Sequence, residues 1–222
     1  MKERTMSRIR LYLTTSLILI LLSSISALAE DYLDDLDDLV DIQQRIGAGN
    51  PLSGKEKSAF CQGCHGEDGN SAISDFPKLA GQYATYIQKQ IKDFKMGARQ
   101  DPLMTDIALT LTNDQDLLDI SAYFASQKQM KGAKRVITKA GQRRFQAGNG
   151  CQTCHGVNGK GLAPDNPIAP VIGGQHKNYL IKQLIDFRRN ARTNEGSGMM
   201  GMIADLMSDE QIEEIASYES GL

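Results

Sequence analysis

Tryptophan is absent from this 222-residue chain, and all aromatic residues together make up only 6% of it. Histidine occurs three times and cysteine four times. No segment shows strand-length alternation of apolar and polar residues, so helices and loops must build the fold, which is read as all-α. No dense basic patch with interleaved aromatics occurs either, which excludes nucleic acid as a partner. Glycine, in contrast, is abundant at 21 residues. The formal net charge of −2 hides an uneven distribution.

The first 29 residues differ from the rest. "MKERTMSRIR" holds four basic residues and one acidic, "LYLTTSLILILLSSIS" is apolar, and Ala27-Leu28-Ala29 supplies small residues at a cleavage position. This is the layout of a secretory signal peptide over residues 1–29; an uncleaved anchor fits less well because the apolar run is short for a span. The remainder of the chain is expected outside the cytoplasm, in the periplasm. Residues 30–130 carry nine basic and seventeen acidic side chains, a net of −8, whereas residues 131–222 carry twelve and nine, a net of +3. Such a dipolar chain orients a charged partner during encounter.

Self-comparison is the most informative step. Cys61-x-x-Cys64-His65-Gly66 recurs as Cys151-x-x-Cys154-His155-Gly156. "FPKLAGQYATYIQKQIKDFKMGAR" recurs as "APVIGGQHKNYLIKQLIDFRRNAR" at a constant offset of 93, with Gln82, Tyr86, Gln90, Asp93, Phe94 and Arg99 among the identical positions. "NDQDLLDISAY" then recurs as "SDEQIEEIASY". The chain is therefore two copies of one helical module, over residues 49–129 and 139–222, joined by a linker at 130–138. An acidic segment, 30–48, precedes them and reads as a solvated helix or as a docking arm for a basic partner. In each copy short helices run into the cysteine motif, a longer helix comes next at a 3.6-residue period, and a closing helix starts at a good cap, Asn113 or Ser208.

Three chemistries compete for the C-x-x-C-H motif. Structural zinc needs a second ligand pair nearby, but 86 residues separate Cys64 from Cys151. A redox dithiol belongs where a strand feeds a helix, and no strand is expected. Covalent haem c fits both motifs. Thiols three apart on a helix face the same way and reach two vinyl groups of one porphyrin, and the adjoining His65 or His155 is then held over the ring towards the iron. Two small Trp-free modules also gain a core from such a group. The expectation is two haem c, attached through Cys61 and Cys64 and through Cys151 and Cys154.

A second axial ligand is usually His or Met. His176 is the one spare histidine, and its repeat partner is Tyr83, so a shared His is excluded. Met96 pairs with Arg189 and fails the same test. Met104 has its counterpart in "SGMMGMIADLM": matching Met-x-x-Ile-Ala selects Met200, whereas counting back from the closing helices selects Met199.

On these motifs, with Pro77-x-x-Ala80-Gly81-Gln82, Pro170-x-x-Gly173-Gly174-Gln175, "DFKMGAR" and "DFRRNAR", the chain over residues 50–222 resembles dihaem cytochromes of the cytochrome c4 type. The resemblance implies two tandem class I cytochrome c domains, each wrapped around one haem. It implies Met104 and Met200 as iron ligands opposite His65 and His155, and Pro77 and Pro170 as carbonyl acceptors for the two imidazoles. It also implies no catalysis: electrons pass between redox proteins, such as a quinol-oxidising complex and a membrane-bound terminal oxidase, with peripheral membrane association as an option. The alternatives are a dihaem electron-transfer subunit of a larger dehydrogenase complex, for example one oxidising a sulfur compound, and a dihaem peroxidase. The Pro-free "GSGMMGM" loop and the long acidic segment depart from the family pattern.

Overall fold

A computed structural model describes residues 40, 42–132, 139–148, 150–162 and 169–222, and among these every regular element is helical. The leader, most of the acidic segment and residues 133–138 of the linker lie outside the described residues. In the first module the helices are α1 (Pro51–Lys57), α2 (Ala59–His65), α3 (Ala84–Lys95), α4 (Pro102–Thr110) and α5 (Asp114–Ser126). In the second they are α6 (Lys139–Phe145), α7 (Gln152–His155), α8 (Lys177–Arg188), α9 (Met199–Asp205) and α10 (Asp209–Glu219). Among the described residues no helix is long and apolar enough to cross a membrane.

Local sequence sets the helix starts. Asn50 Oδ1 accepts from Leu52 N at 2.9 Å, with Pro51 in the first turn. Asp101 Oδ1 accepts from Met104 N at 3.1 Å, followed again by a proline. Asn113 caps α5, and Ser208 with Gln211 forms a capping box on α10. The cysteine motifs differ between copies. The first lies wholly on α2, whereas in the second the helix breaks after Phe145 and resumes as the four-residue α7. In the first copy too the opening helix ends before the motif helix, at Ser58, and in the second the chain turns over residues 146–148 rather than running straight into the motif as expected.

Each opening helix crosses its closing helix at a glycine. A Cβ on Gly54 would run into the Asp119 carbonyl and come within 2.8 Å of Tyr123 Cβ. A Cβ on Gly141 would run into the Glu214 carbonyl and come within 2.9 Å of Tyr218 Cβ. In the first module Asp119, 3% exposed, ties the crossing: it accepts from Asn50 N at 2.9 Å, Gln115 Nε2 at 2.8 Å and Lys57 Nζ at 2.6 Å. The hydrogen bond from Lys57, reinforced by the other two, holds its carboxyl at about 2. Ile87, Ile120, Tyr123 and Phe124 form a core cluster of this module, with Cys61, Leu79, Ile91 and Leu111 against its edge. Phe145, Leu180, Leu184, Phe187, Ile212, Ile215 and Tyr218 are buried in the second.

The two modules meet through repeat-equivalent residues. Gln82 Nε2 donates to Val171 O at 2.8 Å while its Oε1 accepts from Val171 N at 3.0 Å. Gln175 does the same to Lys78, at 2.9 Å in both directions. Because Gln82 and Gln175 are counterparts, as are Lys78 and Val171, the seam is self-complementary like a two-fold dimer interface. Ala80, Tyr83, Met130 and Val171 form its apolar centre. Met130, at the start of the expected linker, is thus a core residue with no exposed surface.

Candidate functional site

The last residue of α2 is His65, 6% exposed, and its Nδ1 lies 2.8 Å from Pro77 O. His155 ends α7, is 7% exposed, and places Nδ1 2.8 Å from Pro170 O. A carbonyl only accepts, so each Nδ1 carries the proton and each Nε2 keeps a free lone pair. Burial lowers the basicity of both imidazoles, opposed by the carbonyl contact. Both are therefore neutral ligands for a metal, oriented by a fixed partner. Gly66 and Gly156 come next at φ 87° and 78° with ψ near 153° and 160°, a conformation open to glycine that ends the helix.

None of the four cysteines forms a disulfide. Burial raises Cys61, and burial together with the neighbouring Glu219 pushes Cys151 up to about 12. A thiol held protonated is a poor nucleophile, the opposite of a dithiol oxidoreductase. The two motifs do not converge: among the described residues no group of three or more His, Cys, Asp or Glu could hold a metal ion. Each motif is thus a separate site offering two thiols on one helical face and one free imidazole nitrogen. That donor set fits a porphyrin bearing two vinyl groups and an iron.

Met104 lies on the first turn of α4 and is half-buried. In "GSGMMGM", Met200 on α9 is also half-buried, whereas Met199 and Met202 are 48% and 58% exposed. Met200 is thus less exposed than the methionines on either side of it.

Sequence reasoning missed a buried polar cluster at the seam. Arg99 donates to Gln90 Oε1 at 2.7 Å, Tyr179 Oη at 2.9 Å and Gln183 Oε1 at 2.9 Å. Arg192 donates to Gln183 Oε1 at 2.6 Å, Tyr86 Oη at 3.0 Å and Gln90 Oε1 at 3.3 Å. Each guanidinium also lies over a ring of its own module, Phe94 at 4.8 Å and Phe187 at 4.5 Å. Among the described residues neither makes an ion pair with a carboxylate. Burial pushes the Tyr86 phenol up, but the guanidiniums outweigh it and leave it lowered. The seam therefore holds two buried guanidiniums whose direct partners are amide and phenol oxygens. Its signal was available: Tyr86, Gln90 and Arg99 have identical counterparts at 179, 183 and 192.

Comparison with known proteins agrees with this geometry. The cytochrome c family model matches residues 53–128 and again 138–218. Cytochrome c4 of Pseudomonas aeruginosa is 44% identical over 183 residues, covering 79% of this chain and 90% of that protein. A thiosulfate dehydrogenase electron acceptor of Stutzerimonas stutzeri is 34% identical over 185 residues, covering 78% and 81%. The crystal structure of reduced recombinant cytochrome c4 from Pseudomonas stutzeri superposes with a TM-score of 0.72 at 41% identity, covering 79% of this chain and all of that one.

Proposed function

The chain belongs to the cytochrome c family as a dihaem electron-transfer protein of the cytochrome c4 type, and on that premise we propose that it is an exported, non-catalytic carrier between respiratory redox partners. It holds two covalently bound haem c. When bound, each haem supplies an iron that gains and loses one electron reversibly. Cys61 and Cys64, with Cys151 and Cys154, fasten the porphyrins. His65 and His155, oriented by the carbonyls of Pro77 and Pro170, would ligate the iron through Nε2, and Met104 and Met200 would supply its second ligand in each module. The domains run over 49–129 and 139–222.

The observation that carries this reading is the equivalence of the two sites. Both modules present a neutral imidazole locked 2.8 Å from a proline carbonyl and a half-buried methionine on the helix before the closing one. With His and Met both bound, each iron would have no position for substrate. Protein groups then orient and insulate: Gln82 and Gln175 fix one module against the other, and Ala80, Tyr83, Met130 and Val171 keep water from the seam. Arg99 and Arg192 supply positive charge for the porphyrin carboxylates. The partners proposed are a quinol-oxidising complex as donor and a terminal oxidase as acceptor, met in the periplasm.

An optical spectrum of the holoprotein tests the reading. A red charge-transfer band in the ferric state, with no change when carbon monoxide is added to the ferrous state, is expected; a shift on half or all of the haem would mean an open iron. A second reading, the electron acceptor of a sulfur-compound dehydrogenase, is favoured by the relative named for thiosulfate dehydrogenase. Copurification with such an enzyme, and reduction by it at low concentration, would select that reading.

A further inference from the structure

Residues 124 and 219 are the same position in the two modules and carry opposite chemistry. Gly81 N donates to Phe124 O at 2.9 Å, and its counterpart Gly174 N donates to Glu219 O at 2.8 Å. Each residue comes directly after the tyrosine of its closing helix, Tyr123 or Tyr218. Phe124 is 1% exposed and belongs to the cluster against which Cys61 packs. Glu219 is 4% exposed, and its carboxyl lies against the Cys151 thiol. The module that has a phenyl ring in the cluster against its haem-attachment cysteine is thus paired with one that has a carboxyl group at that cysteine.

Of the cations on the elements packed near Glu219, all but Lys139 and Arg143 are engaged elsewhere. From α6 the charged groups are Lys139, Arg143 and Arg144, and Arg144 is committed to Glu214 at 2.9 Å. From α8, Lys177 pairs with Glu213, Lys182 with Asp186 at 2.6 Å and Arg188 with Asp209 at 2.5 Å. Near the adjoining loop, Lys160 donates to Met130 O at 2.6 Å and Gly173 O at 3.0 Å, and Lys78 to Gly174 O at 2.8 Å. Among the described residues none of these makes an ion pair with Glu219. Burial pushes its carboxyl up to about 8, with the Cys151 hydrogen bond opposing. That one donor disappears on haem attachment, because the thiol proton is lost when the sulfur bonds the porphyrin rim. Cys151 bonds carbon there and not iron, so Glu219 stands at the rim of the site, outside the iron's ligand set.

We propose that Glu219 makes the two haems unequal by taking up a proton when the iron of the second module is reduced. The inference rests on the reading that Cys151 attaches haem. One electron arrives from the redox partner and turns ferric iron ferrous; one proton arrives from water and turns the Glu219 carboxylate into the acid. Oxidation returns both. Ferric iron carries one more positive charge and favours the carboxylate, whereas ferrous iron favours the acid, and linkage makes the effect reciprocal. Phe124 allows no such coupling in the first module.

Potentiometric titration of the full holoprotein at a series of pH values from about 5.5 to about 9.5 tests this, with E219Q and E219F beside the parent chain. One of the two midpoint potentials falls as pH rises, with a slope of at most tenfold in the equilibrium constant per pH unit, about 59 mV for one electron. In E219Q and E219F that potential is flat, and the other potential is the same in all three. A slope that survives in E219Q, or two flat potentials in the parent chain, overturns the proposal. E219Q keeps the shape of the residue, so a folding defect in E219F leaves the comparison intact. Carbon monoxide added to the same samples reports separately on the closed irons, so failure of the carrier reading is distinguishable from failure of this one.

Discussion

Replacing Gln82 by alanine isolates what the seam contributes. The side chain is 4% exposed and completes both backbone groups of Val171, itself 2% exposed, at 2.8 and 3.0 Å. Truncation removes the partners of a buried N–H and a buried C=O, at about 1–3 kcal/mol each, and opens a void in the interface. A loss of about 3 kcal/mol is the lower middle of that range, and in a chain of this size it moves the melting temperature by roughly 6–12 °C. Calorimetry of the holoprotein measures it, with the number of transitions as a second reading: modules released from each other melt separately. Gln82→Glu sharpens the test. Ionised, it turns an oxygen towards the Val171 carbonyl where an N–H donor stood; protonated, it still donates. Its defect should therefore grow as pH rises through the carboxyl range and shrink on acidification. A Q82A protein within about 0.5 kcal/mol of the parent, melting in one step at the same temperature, would refute the claim that paired glutamines clamp the modules.

Three further outcomes rest on the same geometry. Gly54→Ala drives a methyl group into the Asp119 carbonyl and Tyr123 Cβ, and should cost about 3 kcal/mol or more of stability in chemical denaturation, with Gly141→Ala giving a parallel defect in the second module. The depressed carboxyl of Asp119 contributes stability that is present in full above the ordinary carboxylate range and is lost as pH falls through about 2. About 1–2 kcal/mol should therefore disappear between about pH 5 and about pH 1.5 in acid titrations, and Asp119→Asn should remove that dependence. Met200→Ala should abolish the red charge-transfer band on half of the haem and let that half bind carbon monoxide, whereas Met199→Ala should leave both spectra unchanged; the reverse pattern would reassign the ligand to Met199.

Most of the architecture was legible because the chain states it twice. Helix starts at Asn113 and Ser208 came from capping chemistry that depends only on neighbouring residues. The break between Phe145 and α7 was not legible, since "QAGNG" still permits a helix and its turn is settled by where the motif must sit. The choice between Met199 and Met200 was also beyond spacing. The repeat fixes relative register, but one inserted residue near Asn113 shifts it; on α9 Met200 is half-buried and Met199 exposed.

The seam shows what a repeat conceals when it is read for one site at a time. Gln82 and Gln175 were visible as matched residues, and each accepts from the next backbone N–H of its own module, Tyr83 or His176, but the partners that complete them, Val171 and Lys78, lie in the other copy. Identity between copies therefore has two physical sources here. Cys, His and Pro are repeated because each module builds the same site, whereas Gln82, Tyr86, Gln90 and Arg99 are repeated because a two-fold seam needs each residue from both sides. By the same logic, a buried position where the copies disagree escapes both constraints. Glu219 against Phe124 is such a position beside an attachment cysteine, and so it is where two otherwise matched sites can acquire different properties.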